Sequence, residues 1–453
     1  MEINKIYEGE CLEVLKTFPD NSVDSCVSDP PAGISFMSKK WDDKGNLNNF
    51  QEFIFEVFSE VKRVLKPGGH ILVWALPRTS HHTAMGIERA GFEIRDCVYH
   101  VFAQGFPKSL NVGKAVNAFE KTGGSSPRNL RKSRMGEEYK PTGQKDYRKG
   151  RMFSSEIEND NRKEEITNGW EGWGTCLKPA VECWWLCRKP ISEKTITENI
   201  LKWGVGGINI DGCRISYTPE NPPIPQLEQG KTEIKSDNGM YGRNSFNKSK
   251  TKSTIGGNLK GRFPSNLILD GSDEVNSLFP NTKSGARSSK HNIGNEQGEM
   301  FNHGIYGKYK SKNFDDVPAS EGSASRFFYC AKTSTKERNI GFENSTGSNT
   351  YNRKCLTCGK WQRKQSFSDD YTCKCETPKW EEATGNNHPT VKPISLMRYL
   401  CKLITPKNGI ILDPFLGSGS TAIAAKIEEF NWIGIEKEPQ YVEIAKKRIA
   451  GLE

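Results

Sequence analysis

The chain has 453 residues, of which 34% are hydrophobic and 26% charged, with 43 Gly and 23 Pro. That length allows two to four ordinary domains, or one large domain carrying a long insertion, and the glycine, proline and charge content requires that part of it be loop. No run approaches the roughly 18 consecutive apolar residues of a membrane span, and the N-terminus MEINKIYEGE is no signal peptide. Thirteen cysteines, most of them scattered through apolar segments, point to a reducing cytoplasm rather than a disulfide framework. The formal charge of +10 suits a polyanionic partner without requiring one.

In chain order, the predicted elements begin with a strand over 5–8, a helix over 11–18 and a strand over 22–28 that runs into Asp29-Pro30-Pro31, the order of a βαβ unit. The apolar positions Phe53, Ile54, Val57, Phe58, Val61, Val64 and Leu65 share one face of a helix over 50–65. Lys66-Pro67-Gly68-Gly69 is expected to end that helix before a strand over 70–75, with a helix over 81–90 and strands near 92–102 after it. The middle is mixed. Segments 175–190, 261–270 and 325–332 look strand-like, whereas 121–151 and 231–262 are polar and basic. The first basic stretch sets ten Lys or Arg against three acids and the second sets eight against two. Their combined excess, +13, is larger than that of the whole chain, so the remainder is slightly acidic. Read alone, such stretches are solvated loops or a footprint for a polyanion. At the C-terminal end, a strand over 409–412, a glycine-rich turn over 413–420, a helix over 421–426, a strand over 432–435 and a helix over 439–449 make a second βαβ unit. Neither half closes a sheet alone, so the two are expected to pair, with the intervening residues emerging from the shared sheet.

Two motifs carry chemistry. A glycine turn between a strand and a helix N-terminus lets backbone amides approach a ligand, and an acid at the end of the next strand can hold ribose hydroxyls. Glu436 follows Gly417 by 19 residues, near the interval expected for that acid. By itself the pattern fits NAD, FAD, S-adenosylmethionine or a plain tight turn. In Asp29-Pro30-Pro31-Ala32, two prolines fix the backbone and remove two N–H donors, which leaves carbonyls and the Asp29 carboxylate facing outward together. Such acceptor-only geometry suits a planar exocyclic amine, although a surface Asp-Pro turn has the same sequence. Separately, Cys355-x2-Cys358 and Cys373-x-Cys375 place four thiols within about twenty residues, the pattern of a small structural zinc knuckle. The CxC spacing of the second pair departs from the usual CxxC, and free thiols or a disulfide are the alternatives.

The order of these motifs, DPP before FLGSG at 415–419, with His388-Pro389-Thr390-Val391-Lys392-Pro393 just ahead of the latter, resembles the β class of amino-methylating DNA methyltransferases. Segments 9–12, 105–109, 174–180, 188–190, 261–266 and 325–332 look like those of large phage and prophage members. The resemblance implies an α/β, Rossmann-like S-adenosylmethionine-dependent methyltransferase fold, permuted so that the catalytic half comes first and the cofactor half last. On that basis 1–105 is the catalytic half, 386–453 the cofactor half, and 106–385 an insertion holding additional sheet strands, basic target-recognition loops and the zinc knuckle at 355–375.

The resemblance also assigns roles. Asp29, with Pro30 and Pro31, accepts hydrogen bonds from the target amine. Asp413, Phe415, Gly417 and Gly419 cradle the cofactor, Glu436 takes its ribose hydroxyls, and Thr390 with Lys392 closes its amino-acid end. Cys355, Cys358, Cys373 and Cys375 hold zinc. The partner is double-stranded DNA, in the setting of restriction and modification, with no membrane involved. An Asp at the first motif position is commoner among adenine-N6 enzymes and a Ser among cytosine-N4 enzymes, so the expected product is N6-methyladenine in a specific duplex sequence. The alternatives are a cytosine-N4 enzyme, an RNA amino-methyltransferase, and a silent cofactor- and DNA-binding protein. One departure motivates the last of these. The residue after the second proline is usually an aromatic that stacks on the flipped base, and here it is Ala32, so Phe36 and Trp41 are the candidates to supply the missing face.

Overall fold

Strands from the two ends of the chain lie side by side in one nine-stranded sheet. The computed structural model describes residues 1–34, 42, 45–103, 105, 109–122, 169–217, 227–228, 254–255, 260–284, 320–331, 337–342, 352–355, 357–358, 361–363, 375, 377, 379–382, 386 and 388–452. They fall into two units, 1–103 with 181–453, and 104–180. Most of both basic stretches lies outside the described residues. Among the described residues, no helix is long and apolar enough to cross a membrane.

The strands of the large sheet are β1 (Lys5–Glu8), β2 (Val23–Ser28), β3 (Leu65–Ala75), β4 (Glu93–Val101), β5 (Val181–Arg188), β6 (Leu267–Leu269), β7 (Tyr329–Cys330), β8 (Ile410–Asp413) and β9 (Asn431–Glu436). Their order is β1-β9-β8-β2-β3-β5-β4-β6-β7. Only β5 runs against its two neighbours, β3 and β4; the other pairs in the sheet are parallel. Among the described residues, the α-helices of six residues or more are α1 (Cys11–Lys16), α2 (Leu47–Val64), α3 (Ser80–Arg89), α4 (Val112–Thr122), α5 (Ile196–Trp203), α6 (Ile394–Ile404), α7 (Ser420–Ile427) and α8 (Pro439–Ala450).

Successive strand residues feed opposite layers, as the period of two requires. Cys26, Ile71, Val73 and Leu412 pack in one apolar layer with Phe50, Ile54, Val57, Phe58, Val61 and Val64 of α2. Val27, Leu72, Trp184 and Ile411 pack in the other with Leu396, Met397, Leu400, Cys401 and Leu403 of α6. α2 starts earlier than the stripe alone predicts because the Asn46 side chain caps it, accepting from Asn49 N at 2.9 Å. It ends at Val64, one residue short of the predicted end. Lys66-Pro67-Gly68-Gly69 is not a loop, however: it forms the first part of β3, with Gly68 at a φ of +82° and a register shift opposite Val23–Ser25. Asp24 anchors this irregular start, receiving Lys66 Nζ at 2.6 Å and Ile410 N at 2.7 Å.

The unit 104–180 is small. Ser109 Oγ accepts from Thr175 N at 2.9 Å, and Leu110 N donates to Thr175 Oγ1 at 3.0 Å, which ties its two ends together ahead of α4.

Candidate active site at the carboxyl edge of the sheet

β8 and β2 are adjacent and parallel, with Ile411 opposite Ser25 and Leu412 opposite Cys26. Their carboxyl ends therefore emerge side by side, and the glycine turn after β8 lies beside Asp29-Pro30 after β2. Ser28 Oγ donates to Asp413 Oδ1 at 2.7 Å across the junction. The same carboxylate accepts from Phe415 N at 3.1 Å and Thr421 Oγ1 at 2.6 Å. Burial raises the Asp413 carboxyl, and these three donors act against the rise. Asp413 thus braces the turn with both oxygens engaged.

Glu436 ends β9 and accepts from Gly417 N at 2.7 Å and Glu438 N at 2.8 Å. Gly417 and Gly419 have φ of +55° and +82°, the left-handed region. A Cβ on Gly417 would lie 2.9 Å from His388 Nε2, so only glycine lets the turn approach that ring. α7 begins directly after Gly419, which presents its N-terminal amides to the turn. Beneath the turn, fully buried Arg448 of α8 donates from Nη1 to Ser418 O, Ser418 Oγ and Ser420 Oγ at 2.6, 3.0 and 3.1 Å, and from Nη2 to Glu337 O at 3.0 Å. Phe415 sits at the turn with its ring 5.9 Å from Phe53.

The chain after Asp29 is pinned as well. Thr79 Oγ1 donates to Ala32 O at 2.8 Å, and buried Asp42 accepts from Gly33 N and Ile34 N at 2.8 and 3.2 Å. Phe36 and Trp41 lie outside the described residues.

Asp29 itself faces Lys392, which precedes α6, with Nζ 3.5 Å from Oδ1. The ammonium is also 3.5 Å from Glu182 Oε1 at the start of β5's neighbourhood, and 4.0 Å above the Trp74 ring. Thr390, by contrast, is exposed, and its backbone N and O engage His388 Nδ1 at 3.3 and 3.0 Å. Of the residues expected at the cofactor's amino-acid end, Lys392 therefore points to Asp29.

Burial raises the Asp29 carboxyl from 3.8 to about 7; Lys392 pulls it down, while Glu182 and Asp413 push it further up. For Glu182 burial acts upward too, but Lys392, His100 and Trp74 outweigh it and hold the carboxyl down at about 2. A raised acid binds its proton more tightly folded than unfolded. Its cost to stability therefore grows as pH rises from about 4 and is complete above about 7. Asp29→Asn is expected to stabilise the protein at pH 8 by roughly 2–4 kcal/mol and to leave stability at pH 4 unchanged, which thermal unfolding at the two pH values checks.

Glu182, Trp74, Arg448 and the Asn386–Arg338 contacts around His388 were not singled out from sequence. The available signal for Glu182 was its place two residues before Trp184, on the same face of β5. Cys183 and Cys187 lie on that strand as core residues, in two different apolar clusters.

The cysteine cluster forms on a separate three-stranded sheet. Strand 352–355 pairs with 361–363 and 380–382, and the Sγ atoms of Cys355, Cys358 and Cys375 lie within 4.8 Å of one another. Cys373 lies outside the described residues. Cys355 Sγ and Cys375 Sγ are 3.9 Å apart, close to the about 3.8 Å between sulfurs on a tetrahedral zinc at 2.3 Å.

A family model described as DNA methylase matches residues 23–447. Over 69 residues the chain is 45% identical to the type II methyltransferase M2.MboI of Moraxella bovis, covering 15% of this chain and 25% of that protein. Over 94 residues it is 40% identical to the type II methyltransferase M2.DpnII of Streptococcus pneumoniae, covering 21% of this chain and 32% of that protein. The matched stretches thus span about a quarter to a third of these relatives. Among solved structures, the cytosine-N4-specific PvuII DNA methyltransferase covers 99% of this chain and 86% of its own, at 13% identity and a TM-score of 0.41.

Proposed function

Since the chain belongs to the DNA methylase family of the N6-adenine and N4-cytosine class, we propose that it transfers a methyl group from S-adenosylmethionine to an exocyclic amine of duplex DNA, with adenine N6 as the acceptor. The observation that carries this reading is the adjacency of β2 and β8. It puts the acceptor-only Asp29-Pro30 segment and the glycine turn side by side at the edge where parallel sheets bind ligands.

The turn fits the cofactor. Two left-handed glycines keep side chains out of the cradle, Glu436 retains lone pairs for ribose hydroxyls, and Phe415 offers an apolar wall. Bound there, S-adenosylmethionine supplies an activated methyl on its sulfonium. Asp29 and the Pro30 carbonyl supply the other requirement. The lone pair of a base amine is conjugated with its ring, and drawing its hydrogens toward two acceptors favours the pyramidal, nucleophilic form. Positioning then supplies most of the catalysis, with no covalent enzyme intermediate. As the carboxylate is the acceptor, transfer should rise with pH through about 7, the value at which Asp29 ionises.

The basic composition of stretches 121–151 and 231–262 suits phosphate contacts on duplex DNA. In this reading the enzyme works in the cytoplasm. The test is transfer of labelled methyl from S-adenosylmethionine to duplex DNA and to RNA of the same sequence. Label is expected in the duplex; label confined to RNA, or in neither, contradicts the reading.

The converging thiols further support one structural zinc held by Cys355, Cys358, Cys375 and Cys373, where a metal replaces the apolar core that so short a segment lacks. Elemental analysis of the purified protein should find about one zinc per chain, and Cys355→Ser with Cys358→Ser should remove it; metal retained by that variant contradicts the site.

A further inference from the structure

The Lys392 ammonium lies equally far, 3.5 Å, from two carboxylates on different elements, Asp29 after β2 and Glu182 on β5. The Trp74 ring beneath it, at 4.0 Å, and Trp184 at 5.9 Å fix its height above the sheet. Its side chain is 11% exposed, so water screens these contacts little. His100 of β4 lies behind Glu182, with Nδ1 3.9 Å from Oε2. The titratable and charged groups facing Asp29 are thus Lys392 from the segment before α6, Glu182 from β5 and Asp413 from β8, with the His100 imidazole behind Glu182.

We infer that Glu182 is a positioning residue for Asp29: by sharing the Lys392 ammonium it keeps that cation from settling on Asp29 alone, and so leaves the Asp29 carboxylate available to the incoming amine. The inference rests on the proposed amino-methyl transfer at Asp29. A lysine with two anionic partners over an aromatic face can lean onto one when the other is needed. A lysine with a single anionic partner closes on it, occupying the acceptor oxygens and weakening their hold on a hydrogen. Glu182 suits the sharing role because it stays ionised throughout the working pH range.

The experiment is single-turnover methyl transfer to saturating duplex DNA between pH 5.5 and 9, with saturating S-adenosylmethionine. Glu182→Gln is expected to move the midpoint of the rising limb down by about one pH unit and to lower its plateau about tenfold. The cofactor dissociation constant should stay within about twofold. Lys392→Met is expected to move the midpoint the opposite way, and this variant decides the matter if Glu182→Gln does not fold. A plateau that falls in Glu182→Gln with the midpoint unmoved would assign the residue a merely structural role and overturn the inference. So would a midpoint that fails to rise in Lys392→Met. Absence of transfer by the unaltered protein is a different failure: it overturns the underlying reading itself.

Discussion

Asp29→Ala is expected to lower methyl transfer to duplex DNA by about a thousandfold while cofactor affinity stays within about threefold. The two effects separate because Asp29 closes β2, whereas the cradle is built on β8, β9 and α7. Removing the carboxylate deletes the acceptor that makes a conjugated amine nucleophilic, an interaction that strengthens only as the transition state forms. The turn keeps its supports, since Asp413 holds Ser28, Phe415 and Thr421 without help from Asp29. Substitution also relieves the burial of a carboxylate that is uncomfortable when charged, so the inactive protein should be at least as stable as the parent at neutral pH. Activity lost together with stability would point instead to collapse of the edge. Binding of S-adenosylmethionine by calorimetry beside a transfer assay distinguishes the two.

Arg448→Met has the opposite profile. Arg448 is wholly buried, and burial lowers its guanidinium to about 10, so placing a cation there is costly. It is tolerated because Ser418 O, Ser418 Oγ and Ser420 Oγ accept from Nη1 and Glu337 O accepts from Nη2. Methionine fills a similar volume but leaves those acceptors without donors. After the relieved desolvation is set against them, the expected loss is about 3 kcal/mol, a fall in Tm of roughly 4 °C for a unit of this size. Ser418 lies between the two left-handed glycines, so loosening it should also weaken S-adenosylmethionine binding by about tenfold or more. A melting temperature and cofactor affinity both unchanged would show that the glycine turn holds its shape without the arginine.

Legibility in the sequence followed the range of the interaction. The strand over 22–28 and the turn at 413–420 are visible because their signals are local: a short strand-like segment running into Asp-Pro-Pro, and glycines between a strand and a helix. Helix α2 is visible from one apolar stripe, its start misplaced only because Asn46 caps it outside that stripe. Lys66-Pro67-Gly68-Gly69 misleads because proline and glycine normally break elements. Here the break is absorbed as an irregularity in β3, where the Asn199 side chain donates to Pro67 O at 2.9 Å. Helix α6, whose apolar face packs against the sheet, follows the His388–Pro393 motif without a sequence signal of its own start. Glu182 is the clearest limit. It reaches Asp29 only because β5, 80 residues after β4, inserts antiparallel between β3 and β4. No spacing along the chain encodes that insertion, and the Cys-Trp-Trp run beside it reads simply as core. The same holds for Lys392, whose motif suggests a place at the cofactor and whose ammonium lies 3.5 Å from both Asp29 and Glu182.

On the proposed function, Asp29 and the glycine turn together methylate an exocyclic amine of DNA. Mass spectrometry of nucleosides from the DNA of cells expressing the protein or its Asp29→Ala variant tests this most directly. N6-methyladenine above background is expected with the parent chain and none above background with the variant. N4-methylcytosine in its place would contradict the adenine assignment, and DNA left unmodified by the parent, or modified equally by both, would contradict the account as a whole.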